Sequence, residues 1–316
     1  MAERDILVSV AIPLFNEEES VPVLYEQLKS VMDALNIGYE IIFVDDGSSD
    51  DTFKVARRLA ENDAGLRVIK FRRNFGQTPA MAAGIDHANG EIIVTMDGDL
   101  QNDPQDIPEF ISEIQSGYDI VVGWRHNRKD KLITRKIPSV IANWLIGKVT
   151  GVPIKDNGCS LKAYRANVIK NVALYSDMHR FIPAMANVSG ASIKQIKVRH
   201  HARQFGESKY GLSRIYKVLV DLAGISMIRA ASSAPVRWFA TLSAPFFVIG
   251  TLMIIASFLV QTSAPDAYSI VFAGTGLFFL ALAVSLVFNG ALVDLLVRTG
   301  DINTRSLVQE TLRIIK

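Results

Sequence analysis

Short apolar runs alternate with stretches of helical periodicity through the first 125 residues. Leu7–Ile12, Glu40–Val44, Arg67–Phe71, Ile92–Met96 and Asp119–Gly123 read as strands, and Ser20–Leu35, Asp51–Glu61, Thr78–His87 and Pro108–Gln115 as helices. Strands separated by helices predict a parallel α/β sheet. From Arg125 to His201 the pattern loosens, to a helix at Lys136–Thr150, short elements around Leu161–Tyr164 and a strand near Ser192–Arg199. This half is expected to cover the sheet edge. Leu212, Ile215, Tyr216, Leu219, Val220 and Ala223 then share one helical face, which fits a membrane interface, a protein core or a subunit contact. Two uncharged runs follow, Trp238–Pro265 and Ala267–Val293, each longer than the roughly 20 residues that span a bilayer. The expected organisation is therefore a catalytic domain over 1–210, juxtamembrane helices over 211–235, two transmembrane helices over 236–297 and a tail over 298–316.

Composition agrees with a membrane protein. Of 316 residues, 49% are hydrophobic, and the mean hydropathy is positive. Arg229 and Arg237 precede the first span, Arg298, Arg305, Arg313 and Lys316 follow the second, and the turn at 262–266 has no basic residue. That bias predicts a membrane protein with both termini cytoplasmic, and the first residues, Met1–Asp5, do not resemble a secretory signal. A single cysteine, Cys159, excludes an internal disulfide and suits a reducing compartment. A net charge of +2, without a long basic run interleaved with aromatics, argues against nucleic acid as a partner.

The chemistry concentrates where strands end. Asp97-Gly98-Asp99-Leu100-Gln101 follows directly on the run Ile92–Met96, so two carboxylates and a carboxamide come to one edge of a sheet, where oxygen ligands can hold a divalent cation. Asp99 and Gln101 share a face if the backbone there stays extended. Pro13–Glu18 and Asp45–Asp50 end the first two strands and reach the same edge, although Asp-Asp-Gly-Ser by itself also fits a turn before a helix. His200 and His201 read as a strand end rather than as metal ligands, and Arg128, Lys129 and Lys131 as solvated charges or a lid.

Three ordered motifs, Ile12-Pro13-Leu14-Phe15-Asn16-Glu17, Val44-Asp45-Asp46-Gly47-Ser48 and Met96-Asp97-Gly98-Asp99-Leu100-Gln101, resemble those of glycosyltransferase family 2, which has the GT-A fold. Arg135–Ser139 and Arg203–Gly211 are similar to segments of dolichyl-phosphate mannose synthases and of bacterial polyisoprenyl-phosphate glycosyltransferases of the GtrB and ArnC kind. The resemblance covers nearly the whole chain. It implies a nucleotide-sugar site of Pro13, Phe15, Glu17, Asp45, Asp46 and Asp97, with Asp97, Asp99 and Gln101 holding Mg²⁺ or Mn²⁺. Arg125, Arg135 and Ser139 match acceptor-phosphate positions, and Arg203 and Lys209 are expected to assist them. Asp99, Asp156 and Arg125 form the expected catalytic set. Asp156 stands where related transferases carry a base, but a phosphate acceptor is already anionic, so Asp156 is expected to orient rather than deprotonate. Ser160-Leu161 departs from the commoner Asp-x-x-Cys-Gly-Phe pattern at a place that bears on sugar preference. The resemblance implies inverting transfer of glucose from UDP-glucose to undecaprenyl phosphate by a homo-oligomer such as a tetramer. GDP-mannose, a UDP-amino-sugar donor, or an inactive scaffold of the same fold are the alternatives.

Overall fold

The computed structural model describes residues 6–126, 146–148, 151–172, 180–188, 190–202, 204–205, 234–261 and 266–299. Each apolar run becomes a strand: β1 (Val8–Leu14), β2 (Tyr39–Asp45), β4 (Ile92–Thr95) and β5 (Ile120–Arg125) are largely buried, and β3 (Leu66–Lys70), at the sheet edge, is mostly half-buried. Between them run α1 (Ser20–Ala34), α2 (Thr52–Asn62), α3 (Gln77–Asp86) and, after a single 3₁₀ turn at Pro104–Asp106, α4 (Ile107–Gln115). Then come β6 (Lys162–Arg165), α5 (Ala166–Ile169), α6 (Ile182–Val188) and β7 (Ile193–Val198).

The strands form one sheet in the order β3-β2-β1-β4-β6-β5-β7. β3, β2, β1 and β4 are parallel, as expected. β6 is not. It runs antiparallel to both of its neighbours, with Lys162 opposite Thr95 on β4 and Val122 on β5. Residues after Arg125 therefore complete the middle of the sheet as well as flanking it. Alternation along each strand feeds two apolar layers. Ile12, Ile41, Phe43 and Val94 pack with Leu24 and Leu28 of α1 and Phe110 of α4, whereas Ile42, Val44 and Ile93 pack with Ala80, Met81 and Ile85 of α3.

At the sheet end opposite the three motifs, Glu40 lies beside Ser9 and is almost wholly buried. It accepts from Ser9 Oγ (2.7 Å), the Asn89 N–H (2.6 Å) and Arg67 Nη1 (3.0 Å). Burial would raise this carboxyl, but the three donors more than offset it and hold it below its usual value. Its contribution to stability is thus complete above the ordinary carboxyl value of 4.5 and is lost as pH falls through the lower folded value. Glu40→Ala strands those donors and is expected to cost about 2–4 kcal/mol in denaturant melts at neutral pH. A cost that did not shrink in acid would contradict this account.

A second unit holds two long helices, α7 (Pro235–Gln261) and α8 (Asp266–Thr299). Pro235–Leu259 and Ser269–Leu295 are long and apolar enough to cross a membrane, with mean hydropathies of 2.1 and 2.4. They cross closely at two glycines: a Cβ on Gly250 would lie 2.8 Å from the Gly276 carbonyl oxygen. Ser257 Oγ donates to the Ser269 carbonyl (2.9 Å), so this hydroxyl is satisfied within the hairpin. The helix expected from Gly211 lies outside the described residues.

Candidate active site

β1, β2 and β4 end at one edge of the sheet, and their loops are stitched together there. After Leu14 the chain turns at Asn16, whose φ of 55° is left-handed, a conformation that asparagine tolerates. The Asn16 N–H donates to Ser48 Oγ (3.0 Å), Asn16 Oδ1 accepts from the Ser49 N–H (2.9 Å), and the Glu17 N–H donates to Thr52 Oγ1 (2.8 Å). Glu17 Oε2 accepts from Ser20 Oγ (2.7 Å). Pro13, Phe15 and Glu17 are half-buried on this edge.

Asp45 and Asp46 are both buried but do different work. Asp46 Oδ1 and Oδ2 accept the N–H groups of Phe75 and Gly76 at 2.7 and 2.9 Å, clamping the β3–α3 loop. Burial, and then the adjacent Asp45 charge, still push the Asp46 carboxyl above its usual value. Asp45 Oδ1 accepts the Ser48 N–H (3.2 Å), while Oδ2 is buried without a hydrogen-bond partner among the described residues. An orphaned buried carboxylate oxygen is costly, and this one stands at the strand-end edge where open α/β sheets take their ligands. Gly47 is required between these loops. Its φ is +66°, and a Cβ there would meet the Arg73 backbone at 2.3 Å.

Gly98 lets the third motif approach β1, since a Cβ would come 2.5 Å from a Leu14 methyl. Leu100 then takes a φ of 60° and turns the chain, so Asp99 and Gln101 are not on one extended face. Instead the Gln101 N–H donates to Asp99 Oδ1 (3.2 Å). Asp97 Oδ1 accepts from Gln77 Nε2 (2.6 Å), and its carboxyl is hydrogen-bonded by Ser160. Loss of solvent and then the Asp99 charge push the Asp97 carboxyl up to about 6. Two neighbouring carboxylates and a carboxamide are an oxygen donor set that suits a hard divalent cation, with the Arg125 and Lys162 charges also acting on Asp97.

Beside them, Arg125 at the end of β5 meets Asp156 in a two-pronged ion pair, Nε–Oδ2 2.7 Å and Nη2–Oδ1 2.9 Å. The side chains are only 13% and 3% exposed. Burial lowers the Arg125 value, but the Asp156 hydrogen bonds and charge more than offset it, so the guanidinium is held firmly charged. Gly158 leaves room for the pair, since a Cβ there would lie 3.2 Å from Arg125 Nη2. Lys162 is also buried, and burial pulls its ammonium down to about 8. Cys159 is buried with its thiol pushed up to about 11 by burial, which disqualifies it as a nucleophile at neutral pH.

Residues 9–173, more than half of the chain, match the description "Glycosyl transferase family 2". The chain belongs to that family. Among relatives of the polyprenyl-phosphate type within family 2, a dodecaprenyl-phosphate galacturonate synthase of Rhizobium johnstonii is 43% identical over 94% of this chain and 89% of the relative. An undecaprenyl-phosphate 4-deoxy-4-formamido-L-arabinose transferase of Photorhabdus laumondii is 35% identical over 90% and 84%. The family 2 chain is accordingly a sugar transferase. Its fold is that of glucosyl-3-phosphoglycerate synthase from Mycobacterium tuberculosis, solved with Mn²⁺, UDP and glucosyl-3-phosphoglycerate (TM-score 0.53, 17% identity, 72% of this chain and 80% of that one). Mannosyl-3-phosphoglycerate synthase from Rubrobacter xylanophilus shares the fold (TM-score 0.55, 14% identity, 71% and 75%).

In this family 2 transferase, Pro13, Phe15, Glu17, Asp45, Asp46, Asp97, Asp99 and Gln101 come together on three neighbouring strand ends, with Arg125 and Asp156 paired at the end of β5. Arg135, Ser139, Arg203 and Lys209 lie outside the described residues. His200 lies beyond the end of β7 and forms an isolated antiparallel bridge with Asn102, and His201 Nε2 lies 3.1 Å from Asp103 Oδ2. The sequence reading passed over three residues. Ser160, noted only as a departure, accepts from Asn102 Nδ2 (2.6 Å) and bonds Asp97. Lys162 had a signal, a lysine inside a short apolar strand. Gln77 had none before the topology brought α3 against β4's end.

Proposed function

We propose that this transferase moves the sugar of a nucleoside-diphosphate sugar onto a polyprenyl phosphate, and that the sugar is a hexuronic acid or an amino sugar rather than glucose. The site observation that supports it most is the buried Asp45 Oδ2, which has no partner among the described residues, at the same sheet edge as Asp97 and Asp99. The first offers an acceptor for a base or ribose, the other two a cation seat for a diphosphate. The donor reading rests on the relatives, whose names specify galacturonate and formamido-arabinose. This departs from the expectation of UDP-glucose and favours the amino-sugar alternative or a uronate.

Asp97, Asp99 and Gln101 would hold Mg²⁺ or Mn²⁺, which neutralises the leaving diphosphate when bound. Pro13, Phe15 and Glu17 line the nucleotide side with Asp45, while Asp46 holds the β3–α3 loop at Phe75 and Gly76. An acceptor phosphate oxygen attacks the anomeric carbon as the bond to the nucleoside diphosphate breaks, with inversion and with no proton to remove. Arg125 can serve two partners, since its Nε–Nη2 edge holds Asp156 and its Nη1–Nη2 edge is the side for an acceptor phosphate, assisted by Arg135, Ser139, Arg203 and Lys209. Asp156 so held orients the donor sugar. The basic flanks of the two spans favour a cytoplasmic site.

Full-length protein should be incubated with Mn²⁺, undecaprenyl phosphate and labelled UDP-galacturonate, UDP-amino sugars, UDP-glucose or GDP-mannose. A uronate or amino-sugar donor is expected to label the lipid at least about tenfold faster than UDP-glucose, because a site built for a polar substituent rejects the sugar lacking it. UDP-glucose as the best donor would overturn the donor assignment, and nucleotide binding without transfer from any donor would overturn the transfer reading.

A further inference from the structure

Gln77 opens α3 immediately after the loop that Asp46 clamps. Its backbone is fixed on both sides. Upstream, the Phe75 and Gly76 N–H groups are bound by the two Asp46 oxygens, and Phe75 packs edge-on against Phe71 at 5.7 Å. Downstream, Ala80, Met81 and Ile85 are buried in the layer beneath the sheet, and Gly84 sits so close to β1 that a Cβ would lie 2.9 Å from the Ala11 side chain. From this support the half-buried Gln77 side chain crosses to the end of β4, where Nε2 donates to Asp97 Oδ1 at 2.6 Å.

We propose that Gln77 is the positioning residue of the cation site, its amide fixing the plane of the Asp97 carboxylate so that the lone pairs not taken by Gln77 and Ser160 are presented to the metal. The inference rests on the reading of Asp97 as a metal ligand. A carboxamide fits the task because it donates without carrying charge: a lysine at the same place would hold Asp97 equally well but repel the cation. Fixing a ligand before the metal arrives removes part of the ordering cost of binding. Gln77 also joins the nucleotide half of the site to the metal half, because the residues that Asp46 grips and the residue that grips Asp97 are consecutive.

The test is Mn²⁺ binding, read from the spin-resonance signal of free Mn²⁺ on full-length protein with saturating UDP, alongside thermal midpoints and metal-free UDP binding. Gln77→Ala is expected to weaken Mn²⁺ binding about 10- to 100-fold with the midpoint and UDP binding unchanged. Gln77→Asn, an amide one methylene too short, should behave like the alanine variant, and it carries the test if Gln77→Ala does not fold. Mn²⁺ binding at the wild-type level in the folded variant overturns the proposal. Asp97→Ala separates the two readings. If it binds Mn²⁺ as tightly as wild type, the metal assignment fails and the role of Gln77 with it; if it loses Mn²⁺ while the Gln77 variants do not, only the role of Gln77 fails.

Discussion

Asp99→Asn is expected to lower sugar transfer by about a thousandfold or more in a protein that melts as the wild type does. Asparagine keeps the shape of Asp99 and an Oδ1 that can accept the Gln101 N–H, so the turn at Leu100 survives. What it removes is one negative charge from a crowded carboxylate pair. Cation stabilisation of a leaving diphosphate supplies several kcal/mol, and each 1.36 kcal/mol is tenfold in rate. Initial rates with labelled donor, set beside a thermal melt, check both halves. A variant retaining a tenth of the wild-type rate would remove Asp99 from the catalytic set.

The second large effect falls on stability. Asp156→Ala is expected to destabilise the catalytic unit by about 3–5 kcal/mol, because it leaves the Arg125 guanidinium, only 13% exposed, without its counter-charge. The double variant Arg125→Met/Asp156→Leu should recover most of that loss, since a well-packed apolar pair often equals a buried ion pair. It should not recover transfer. Chemical denaturation of the two singles and the double gives the coupling, and activity is read on the same samples. A single variant as stable as wild type would mean that the pair is solvent-screened; a double variant with full activity would exclude both side chains from the reaction.

How far the sequence could be read follows from what each residue depends on. β1 to β5 and the helices between them were legible because burial on two faces of a sheet writes itself as apolar runs, and the observed ends differ from expectation by a residue or two. The three acidic motifs were legible because they sit where such runs stop. β6 was not, since four residues containing Lys162 and Arg165 do not declare whether they pair, or in which direction. Asp46 shows the limit for sites. Its place at a strand end pointed to the ligand, yet its oxygens are spent on Phe75 and Gly76, residues whose proximity arises only from the parallel crossover. The Arg125–Asp156 pair was hidden for the same reason, because 31 residues separate its partners.

The reversed direction of β6 decides where the chain leaves the sheet and where it returns. β5 leaves the sheet at Arg125 and β6 re-enters at Lys162, and because the two are antiparallel, exit and re-entry lie at the same rim. Arg125 and Lys162 therefore stand close together at one rim, and the interval between them begins and ends there. Because closing a longer loop between two neighbouring points costs only slowly more, a change in the length of that interval is expected to leave the pairing of Val122 with Lys162 in register.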